Sequence, residues 1–282
     1  MGILKGKVAI ITGAGRGLGR AHAKRCASEG AQVVVNDTGG SPSGSGADKG
    51  VADSVVAEIS SAGGDAQADY HDVSLPQEVE ALFQHAIETY GKVDILITNA
   101  AIIREATINN ITDEDWSIQI ATMLGGTFRC TQSLVRHLEA RKSPGRILMV
   151  TSLVGLEGAS NLAAYAAAKA GICGFGLSAA QELAPLGIAV NILSPIAYTR
   201  LTSGLPLMDI PNAEQLMAPD LVSDVAAYLV SDAAAGVSGN IVHVQGIRVS
   251  MYKIGATDGV APKVGDRWTP AELSKRWGEI VR

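Results

Sequence analysis

The chain has 282 residues, of which 47% are hydrophobic and 18% charged, and it carries a formal net charge of −5. A chain of this length can bury a sizeable core. Its slightly acidic balance lacks the basic footprint of nucleic-acid-binding proteins, so we expect no nucleic-acid partner. The composition therefore predicts a globular protein that acts on or binds other ligands.

Cysteine content and hydropathy predict the cellular compartment and disfavour a disulfide framework, a metal site and a membrane span. Cys26, Cys130 and Cys173 are too few and too scattered for a disulfide framework or a metal site, and they fit a reducing cytoplasm. The longest membrane-like stretch, residues 162–180, contains Lys169 and many small residues, so a buried helix explains it better than a membrane span. We expect a cytoplasmic protein with no metal ion and no membrane partner.

Apolar strand-like runs alternate with helix-like segments along the chain, without a break in composition. This alternation predicts one α/β domain over residues 1–282, with a single doubly wound parallel sheet flanked by helices. We place its core at about residues 4–249 and a C-terminal extension at about 250–282. The predicted strands cover residues 8–12, 32–36, 66–71, 95–98, 146–151, 188–193 and 241–244.

A glycine-rich turn follows the first predicted strand and precedes a helix-like segment. It holds Gly13, Gly17 and Gly19, with Arg16 and Leu18 among them. Glycines let the backbone approach a pyrophosphate, and the free N–H groups and partial positive charge of a helix start favour the anion. The spacing matches neither the common dinucleotide fingerprint nor the phosphate loop that ends in Gly-Lys-Ser/Thr. The turn predicts a nucleotide phosphate site, with all five residues as candidate contacts.

An acid at the end of the second predicted strand supports this interpretation. Asp37 follows Gly19 by eighteen residues, where a carboxylate can accept hydrogen bonds from an adenosine ribose diol and repel a 2′-phosphate. The position predicts that NAD is preferred over NADP. A solvated turn residue is the alternative interpretation.

Tyr165 and Lys169 form the most informative pair in the chain. On a helix, residues four apart share one face, so the Lys169 ammonium can lie beside the phenol oxygen of Tyr165 and favour its ionised form. A tyrosine in that setting is a candidate general acid/base. Because such pairs also arise by chance on exposed helices, the assignment depends on the rest of the chain.

Over residues 4–249 these motifs occur in the order and spacing of the short-chain dehydrogenase/reductases, which the chain resembles. The motifs that carry the resemblance are Thr12 with the glycine turn, Asn99-Ala100, Ser152, and Tyr165 with Lys169. The resemblance implies a Rossmann-like sheet of about seven strands and an NAD-dependent oxidoreductase acting on a secondary alcohol or ketone. It also implies a homodimer or homotetramer, in which the helix of Tyr165 packs across the subunit interface.

Two segments, residues 35–40 and residues 268–273, are similar to a narrower subgroup. That subgroup includes the (3R)-hydroxyacyl-CoA dehydrogenase region of peroxisomal multifunctional enzyme and bacterial hydroxyacyl-CoA or hydroxysteroid dehydrogenases. It implies a hydrophobic substrate, such as a 3-hydroxyacyl thioester or a steroid or alicyclic alcohol.

The family resemblance also implies roles for individual residues of this chain. Tyr165 carries the substrate proton, Lys169 lowers its pKa and holds the nicotinamide ribose, and Ser152 orients the substrate oxygen. The further cofactor contacts that it implies are Asp72 and Val73 at the adenine, Asn99 beside the central strand, and Thr199 at the nicotinamide carboxamide.

Met123 is the main departure from the family pattern. It stands where members of the family carry an Asn that holds a water linking the lysine to solvent, and a methionine cannot relay a proton. The relay must then use another residue, or a backbone carbonyl with water, or run impaired. Thr98, Ala101 and Ile196 also replace family residues, and we interpret them as packing changes.

Two loops and a tail interrupt the alternation of strands and helices. Residues 38–46 are rich in Gly and Ser and predict a mobile surface loop beside the adenosine end. Residues 201–219 have the apolar character of a flexible lid over a hydrophobic substrate, or of a loop packed on its own core. Thr269 and Glu272 form a capping-box pattern that predicts a short helix to Val281. Candidate basic handles for a CoA group are Arg104, Arg200 and Lys253.

Two other function classes compete with the oxidoreductase. A serine hydrolase would pair Ser152 with a His and an acid, yet the chain has no Gly-x-Ser-x-Gly elbow. A catalytically impaired NAD-binding regulatory protein of the same fold is the stronger rival, because Met123 removes one family group while the nucleotide turn is kept. The intact Ser152, Tyr165 and Lys169 favour the enzyme.

Overall fold

The computed structural model of the protein describes residues 2–200, 202–204, 208–262 and 267–281. The strands of its sheet are β1 (Val8–Thr12), β2 (Gln32–Asn36), β3 (Asp65–Asp69), β4 (Ile95–Thr98), β5 (Gly145–Val150), β6 (Ile188–Ile196), β7 (Ile241–Gln245) and β8 (Arg248–Tyr252). Their order is β3-β2-β1-β4-β5-β6-β7-β8, and β1 to β7 pair in parallel. The doubly wound parallel sheet predicted from the sequence is confirmed.

Helices cover both faces of this sheet. The helices are α1 (Gly17–Ser28), α2 (Gly50–Ser61), α3 (Pro76–Tyr90), α4 (Asp113–Ile120), α5 (Gly126–Arg141), α6 (Leu153–Glu157), α7 (Ala163–Leu183), α8 (Ala213–Leu216), α9 (Pro219–Leu229) and α10 (Pro270–Ile280). Every residue of β1, β4 and β5 is buried, which explains why these strands are near-continuous apolar runs. α1 packs against α9, and α7 packs against β6 and α6.

The strand order positions the functional site. β1 pairs with β2 on one side and with β4 on the other, so the crossovers that follow these strands leave in opposite directions. A crevice opens at such a switch point, outside the carboxyl ends of the strands. The glycine turn after β1 and the Asn99 segment after β4 therefore meet at the same edge of the sheet.

The main differences from the sequence prediction are an additional strand, an earlier end of β3, and a later end of β6, which runs to Ile196 instead of Leu193. An eighth strand, β8, follows β7 after a two-residue turn, in a stretch predicted to belong to the C-terminal extension. Val249 and Met251 on this edge strand are half exposed, so it lacks the buried apolar run that marks the central strands. The third strand ends at Asp69 instead of His71, because the Asp69 carboxylate accepts the backbone N–H of His71 at 3.0 Å and turns the chain.

The chain divides by its internal contacts into two units, Met1–Met251 and Tyr252–Arg282. The second unit contains α10, whose predicted capping box is confirmed: Thr269 Oγ1 accepts from Glu272 N–H, and the Glu272 carboxylate accepts from Thr269 N–H. Thr257 Oγ1 donates to the carbonyl of Ile280 at 2.6 Å and ties the end of this helix to the start of the unit. Within the described ranges, none of the helices is both long and apolar enough to cross a membrane.

Candidate active site

A cleft of about 230 Å³ lies at the switch point between β1 and β4. It brings together all of the residues that the sequence proposed as catalytic or cofactor-binding. These residues are Gly13, Arg16, Gly17, Leu18, Gly19, Asp37, Asp72, Val73, Asn99, Ser152, Tyr165, Lys169 and Thr199. One continuous surface therefore carries both the nucleotide-like turn and the Tyr–Lys pair.

The glycine turn is shaped for close approach of another group. Gly13 and Gly17 have φ values of 62° and 52°, in the left-handed region that favours glycine. A Cβ atom at Gly19 would lie 2.0 Å from the carbonyl oxygen of Gly13, so only glycine fits there. α1 begins at Gly17 and directs its unpaired N–H groups into the cleft, which is the donor set that a dinucleotide pyrophosphate needs.

Thr12 and Asn99 hold this turn against the end of β4. Thr12 Oγ1 accepts the backbone N–H groups of Asn99 and Ala100, each at 3.0 Å. The Asn99 amide donates to the carbonyls of Thr12 and Gly13, each at 3.0 Å. Asn99 thus holds the glycine turn with both its backbone N–H and its side-chain amide. Both donors of that amide are used within the protein.

Two backbone N–H donors orient the Asp37 carboxylate. Its Oδ2 accepts from Gly15 N–H at 2.8 Å, and its Oδ1 accepts from Gly39 N–H at 2.7 Å. A Cβ at Gly15 would lie 2.9 Å from Asp37 Oδ2. Gly15 is a residue that sequence reasoning missed, and the signal that marks it is its place inside the glycine turn.

The loop at residues 38–46, predicted as a mobile surface loop, is bound on several sides. The carbonyl of Pro42 accepts from Ile103 N–H at 2.8 Å, and that of Ser43 accepts from Arg104 Nε at 2.9 Å. Arg16 donates to the carbonyl of Gly40 at 2.9 Å. The backbone carbonyls of these small residues are accessible to donors from the opposite wall of the cleft, while residues 44–46 are exposed as predicted.

A buried carboxylate lies behind the same end of the cleft. Asp69, with a side chain that is 1% exposed, accepts from His71 Nδ1 at 2.9 Å, from His85 Nδ1 at 3.0 Å and from the Asn36 amide at 2.7 Å. Burial by itself would raise the pKa of Asp69, but the hydrogen bonds from His71, Asn36 and His85 outweigh it and lower that pKa. His71 lines the cleft and was not identified from the sequence.

Asp72 and Val73, the residues implied at the adenine, follow His71 on the same wall. Asp72 Oδ1 accepts from Ser74 N–H at 2.8 Å, which turns the chain toward α3. Val73 is almost fully buried and offers an apolar surface. An apolar side chain beside a carboxylate is a suitable setting for the face and amino edge of a purine.

At the other end of the cleft, Lys169 is buried at 2% exposure on α7. Its Nζ donates to the carbonyl of Val150 at 2.8 Å, at the end of β5. Burial lowers the pKa of Lys169 to about 8. An ammonium has three donors, so Lys169 keeps N–H groups for a ligand in the cleft.

Tyr165 lies one turn before Lys169, with the Lys169 Nζ 5.7 Å from the centre of its ring. Burial raises the pKa of the Tyr165 phenol, and a hydrogen bond with Ser152 acts in the opposite direction. The net direction is upward, and the expectation that Lys169 lowers this pKa stays a prediction. The physical reason for the upward direction is that enclosure disfavours the phenolate, while the Lys169 ammonium is directed at the Val150 carbonyl.

Ser152 occupies the junction of β5 and α6, where it caps the helix. Its Oγ accepts from Val154 N–H at 3.2 Å and also lies in the cleft beside Tyr165. The neighbouring hydroxyl of Thr151 donates to the carbonyl of Lys169 at 2.7 Å. The structure thus separates two hydroxyls that are adjacent in sequence, because the Thr151 proton is used to hold α7 and Ser152 faces Tyr165.

Met123 lies in a π-helical turn, Ala121–Gly125, between α4 and α5. Its side chain is 1% exposed and belongs to the core, so it presents no polar group to the cleft. The preceding residue, Thr122, lines the cleft instead.

The segment after β6 is only partly described, because the predicted lid residues Leu205 and Leu207 lie outside the described residues. Thr199 is held by its backbone N–H, which donates to Thr202 Oγ1 at 2.8 Å. Met208 is buried, whereas Leu216 is more than half exposed. Met208 therefore fits the prediction of a loop packed on its own core, whereas Leu216 faces outward.

The three candidate basic handles have different surroundings. Arg104 binds Asp115 at 2.8 Å and Glu114 at 3.5 Å, so these carboxylates already neutralise it. Arg200 lines the cleft, and Lys253 belongs to the second unit of the chain. Arg104 is therefore an unsuitable handle for a CoA phosphate.

Comparison with known proteins establishes the family of the chain. Residues 7–204 match the family model described as short chain dehydrogenase. The chain belongs to the short-chain dehydrogenase family. Members of this family are oxidoreductases that act on CH–OH groups with a nicotinamide cofactor.

Individual relatives of this short-chain dehydrogenase are similar over most of the chain. Peroxisomal multifunctional enzyme type 2 of Drosophila melanogaster is 36% identical over 277 residues, which cover 98% of this chain and 45% of that relative. The 3-oxoacyl-(acyl-carrier-protein) reductase of Escherichia coli is 35% identical over 258 residues, covering 89% and 99% of the two chains. The crystal structure of a short chain dehydrogenase from Mycobacterium avium is 38% identical, with a TM-score of 0.86 and coverage of 99% and 96%. The chain spans less than two thirds of the length of the peroxisomal relatives that it matches.

Proposed function

We propose that this short-chain dehydrogenase transfers a hydride between NAD and a hydrophobic secondary alcohol or ketone, with a 3-hydroxyacyl or 3-oxoacyl thioester as the substrate class. The observation that carries the proposal is the shared cleft, in which Ser152, Tyr165 and Lys169 face the glycine turn. Tyr165 is the general acid/base in this proposal.

The chain's own residues supply the proton chemistry. Tyr165 accepts the hydroxyl proton of the alcohol during oxidation and returns it to the carbonyl oxygen during reduction. The Ser152 hydroxyl holds the substrate oxygen next to the phenol, and the Lys169 ammonium stabilises the phenolate while it forms. A bound nicotinamide ring supplies the hydride donor or acceptor. Burial raises the pKa of Tyr165, so the phenolate needs this stabilisation.

The preference for NAD is the part of the proposal that depends on Asp37. Its carboxylate is held by Gly15 and Gly39 at the end of β2, where it can still accept hydrogen bonds from a ribose diol. The same negative charge disfavours a 2′-phosphate. Asp37→Ala is expected to reduce the ratio of NAD affinity to NADP affinity.

Relatives' names support the acyl substrate class. They include a 3-oxoacyl-(acyl-carrier-protein) reductase and peroxisomal multifunctional and hydratase-dehydrogenase-epimerase enzymes. Steroid and alicyclic alcohols are the second substrate class, because they need no basic handle. A cytoplasmic location belongs to this proposal, beside relatives of which some are peroxisomal by name.

Self-association as a homodimer or homotetramer is a further part of the proposal. α7 exposes Ala170 and Gly174, and small residues on an exposed helix face let another backbone approach closely. The catalytically impaired regulator is not favoured, because the Tyr165 phenol, the Lys169 ammonium and the Ser152 hydroxyl are all present in the cleft.

The proposal is tested by following reduced nicotinamide absorbance with a panel of 3-oxoacyl thioesters, steroid ketones and alicyclic ketones. Turnover with the thioesters supports the substrate class. Tyr165→Phe is expected to lower kcat by about 10²- to 10⁴-fold while NAD binding is retained. The matched control is Tyr90→Phe, since Tyr90 bonds Asp65 outside the cleft. Near-normal turnover by Tyr165→Phe would overturn the assignment of the proton carrier.

A further inference from the structure

Residues 38–48 form a compact flap at the end of β2. At its base, Asp48 N–H donates to the carbonyl of Thr38 at 3.0 Å, so the two ends of the flap lie together. Within the flap, Ser41 N–H donates to the carbonyl of Ser45 at 2.8 Å. A loop with adjacent ends and its own hydrogen bonds keeps a defined shape.

The tip of the flap is bound to the segment that follows β4. The Pro42 carbonyl accepts from Ile103 N–H at 2.8 Å, and the Ser43 carbonyl accepts from Arg104 Nε at 2.9 Å. In the sheet, β1 lies between β2 and β4. A flap that begins at β2 and ends beside the segment after β4 therefore crosses the carboxyl end of β1, where the glycine turn is located.

The flap is thus a wall of the cleft next to the glycine turn. Its residues Gly40, Ser41 and Gly44 line the cleft. Arg16 of the glycine turn donates to the carbonyl of Gly40 at 2.9 Å, which adds a contact between the base and the tip. Residues 44–46 are exposed, so the flap has solvent on its other side.

Arg104 is held so that its Nε is directed at the flap. The fully buried side chain of Gln119 fixes its backbone, accepting from Arg104 N–H at 3.2 Å and donating to the Arg104 carbonyl at 3.3 Å. The guanidinium Nη1 binds the Asp115 carboxylate at 2.8 Å. Gln119 and Asp115 both belong to α4, so Arg104 is oriented by partners outside the flap.

We propose that Arg104 is a positioning residue that holds the 38–48 flap closed over a bound dinucleotide and thereby slows its release. This inference rests on the proposed function for the presence of the dinucleotide in the cleft. Asp37 follows β2 and Ser152 follows β5, with β1 and β4 between these strands. A dinucleotide that reaches both residues extends along the edge that the flap crosses. Its release then requires the tip of the flap to leave its two donors.

Amide hydrogen exchange in the ligand-free protein tests whether the flap is closed. The Ile103 N–H reports on the tip, because its acceptor is the Pro42 carbonyl. We expect this amide to exchange slowly in the wild type and about tenfold faster in Arg104→Met, which removes the donor to Ser43. An Ile103 amide that exchanges at the unprotected rate in the wild type overturns the proposal, and this arm needs neither a variant nor a cofactor.

Stopped-flow displacement of bound NADH, followed by its fluorescence, measures release. Arg104→Met is expected to raise the dissociation rate constant about tenfold, the factor for loss of a hydrogen bond from a charged group. Asp115→Asn, which removes the charge that orients the guanidinium, should raise it by a smaller factor. Glu114→Gln is the matched control and should release NADH like the wild type, because Glu114 lies 3.5 Å from Arg104 and is 85% exposed.

Unchanged NADH release in Arg104→Met and Asp115→Asn, together with faster Ile103 exchange, would show that the flap has a structural role only and would overturn the proposal. Equally fast release in Glu114→Gln also overturns it, since loss of any nearby charge would then suffice. A wild type that binds no NADH overturns the proposed function and this inference with it. Normal NADH binding with unaltered release overturns this inference alone. Because release is measured without turnover, failure of the Tyr165 mechanism leaves the result readable.

Discussion

At one end of the cleft hydrogen bonds favour the charged form of an ionisable group, whereas at the other end burial disfavours the charged forms. At the adenosine end, the carboxylates of Asp37 and Asp69 are surrounded by N–H donors, and hydrogen bonding lowers the pKa of Asp69 despite its burial. At the catalytic end, burial lowers the pKa of Lys169 and raises that of Tyr165. Backbone and side-chain donors therefore stabilise the carboxylates at the first end, whereas burial disfavours both charged forms at the second.

This difference follows from what each end must do. Binding affinity benefits from donors and acceptors that are already oriented, since no ordering cost remains. Proton transfer benefits from groups whose charged and neutral forms are close in free energy at working pH, a condition that the lowered pKa of Lys169 approaches and the raised pKa of Tyr165 does not. Substitutions at both ends of the cleft test this contrast, and the largest effect is expected at Lys169.

Lys169→Met should have the largest effect, because it removes the cation that the phenolate needs. We expect kcat to fall by about 10²- to 10⁴-fold, as for loss of a group acting on acid–base catalysis. Lys24→Met is the control, since Lys24 pairs with Glu58 on the surface of α1. Steady-state kinetics with the proposed thioester substrate would measure this fall in kcat. An unchanged kcat would show that the phenolate does not need the Lys169 cation.

The same substitution should stabilise the protein at neutral pH. The folded-state pKa of Lys169, about 8, lies below its ordinary value of 10.5, so folding disfavours the ammonium by about 3 kcal/mol. This cost is fully present below pH 8, declines as pH rises from 8 to 10.5, and is absent above. Denaturant melts should show Lys169→Met above the wild type at pH 7, with the gap closing by pH 10.5. A less stable variant at pH 7 would show that the Val150 hydrogen bond outweighs burial.

Gly19→Ala should damage the adenosine end. Its Cβ would lie 2.0 Å from the Gly13 carbonyl oxygen, so the turn must open and lose the donor geometry for phosphate. We expect NAD affinity to fall by more than about tenfold, or about 1.4 kcal/mol. Gly278→Ala in α10 is the matched control, because nothing lies within 4 Å of its added Cβ. Equal affinities for the two variants would contradict the view that the turn binds phosphate through its backbone.

The pKa of His22 is strongly lowered although His22 does not line the cleft. A substitution there tests whether a shifted pKa is by itself a sign of a functional residue. His22 is fully buried between α1 and α9, with Nδ1 2.9 Å from Ser223 Oγ, and burial lowers its pKa to about 4. The folded-state pKa lies below the unfolded value of 6.5, so stability is unaffected above pH 6.5 and falls by about 3 kcal/mol as pH drops to 4. His22→Asn should flatten this part of the stability profile and leave kcat at pH 7 unchanged. If the stability of His22→Asn falls as steeply in acid as that of the wild type, groups other than His22 cause this loss of stability.

Thr12→Val tests the contact between the glycine turn and the end of β4. It removes the acceptor shared by Asn99 N–H and Ala100 N–H, and a buried donor without a partner costs about 1–3 kcal/mol. Thr12→Ser keeps the oxygen and should stay close to the wild type. The free energy of unfolding in denaturant distinguishes them, and equal losses for both would show that the methyl packing of Thr12 matters instead.

The sequence predicted the features that follow from local pattern. Runs of β-branched residues placed β1, β2 and β4 correctly, because buried parallel strands need apolar residues on both faces. The edge strand β8 was missed, since one exposed face removes that signal. His71 and Gly15 were also missed, because their importance arises from neighbours on other strands.

The amino-acid order by itself determined the family, the sheet and the candidate catalytic and cofactor-binding residues that line the cleft, because spacing along strands and helices decides which groups leave the same edge. Tertiary structure alone decided the directions of the pKa shifts and the contacts of residues 38–46. Burial of Lys169 and Tyr165, the donors around Asp69, and the carbonyls of residues 38–46 that bind the opposite wall all depend on contacts between distant segments. Charge energetics follow from the three-dimensional surroundings, which no local pattern encodes.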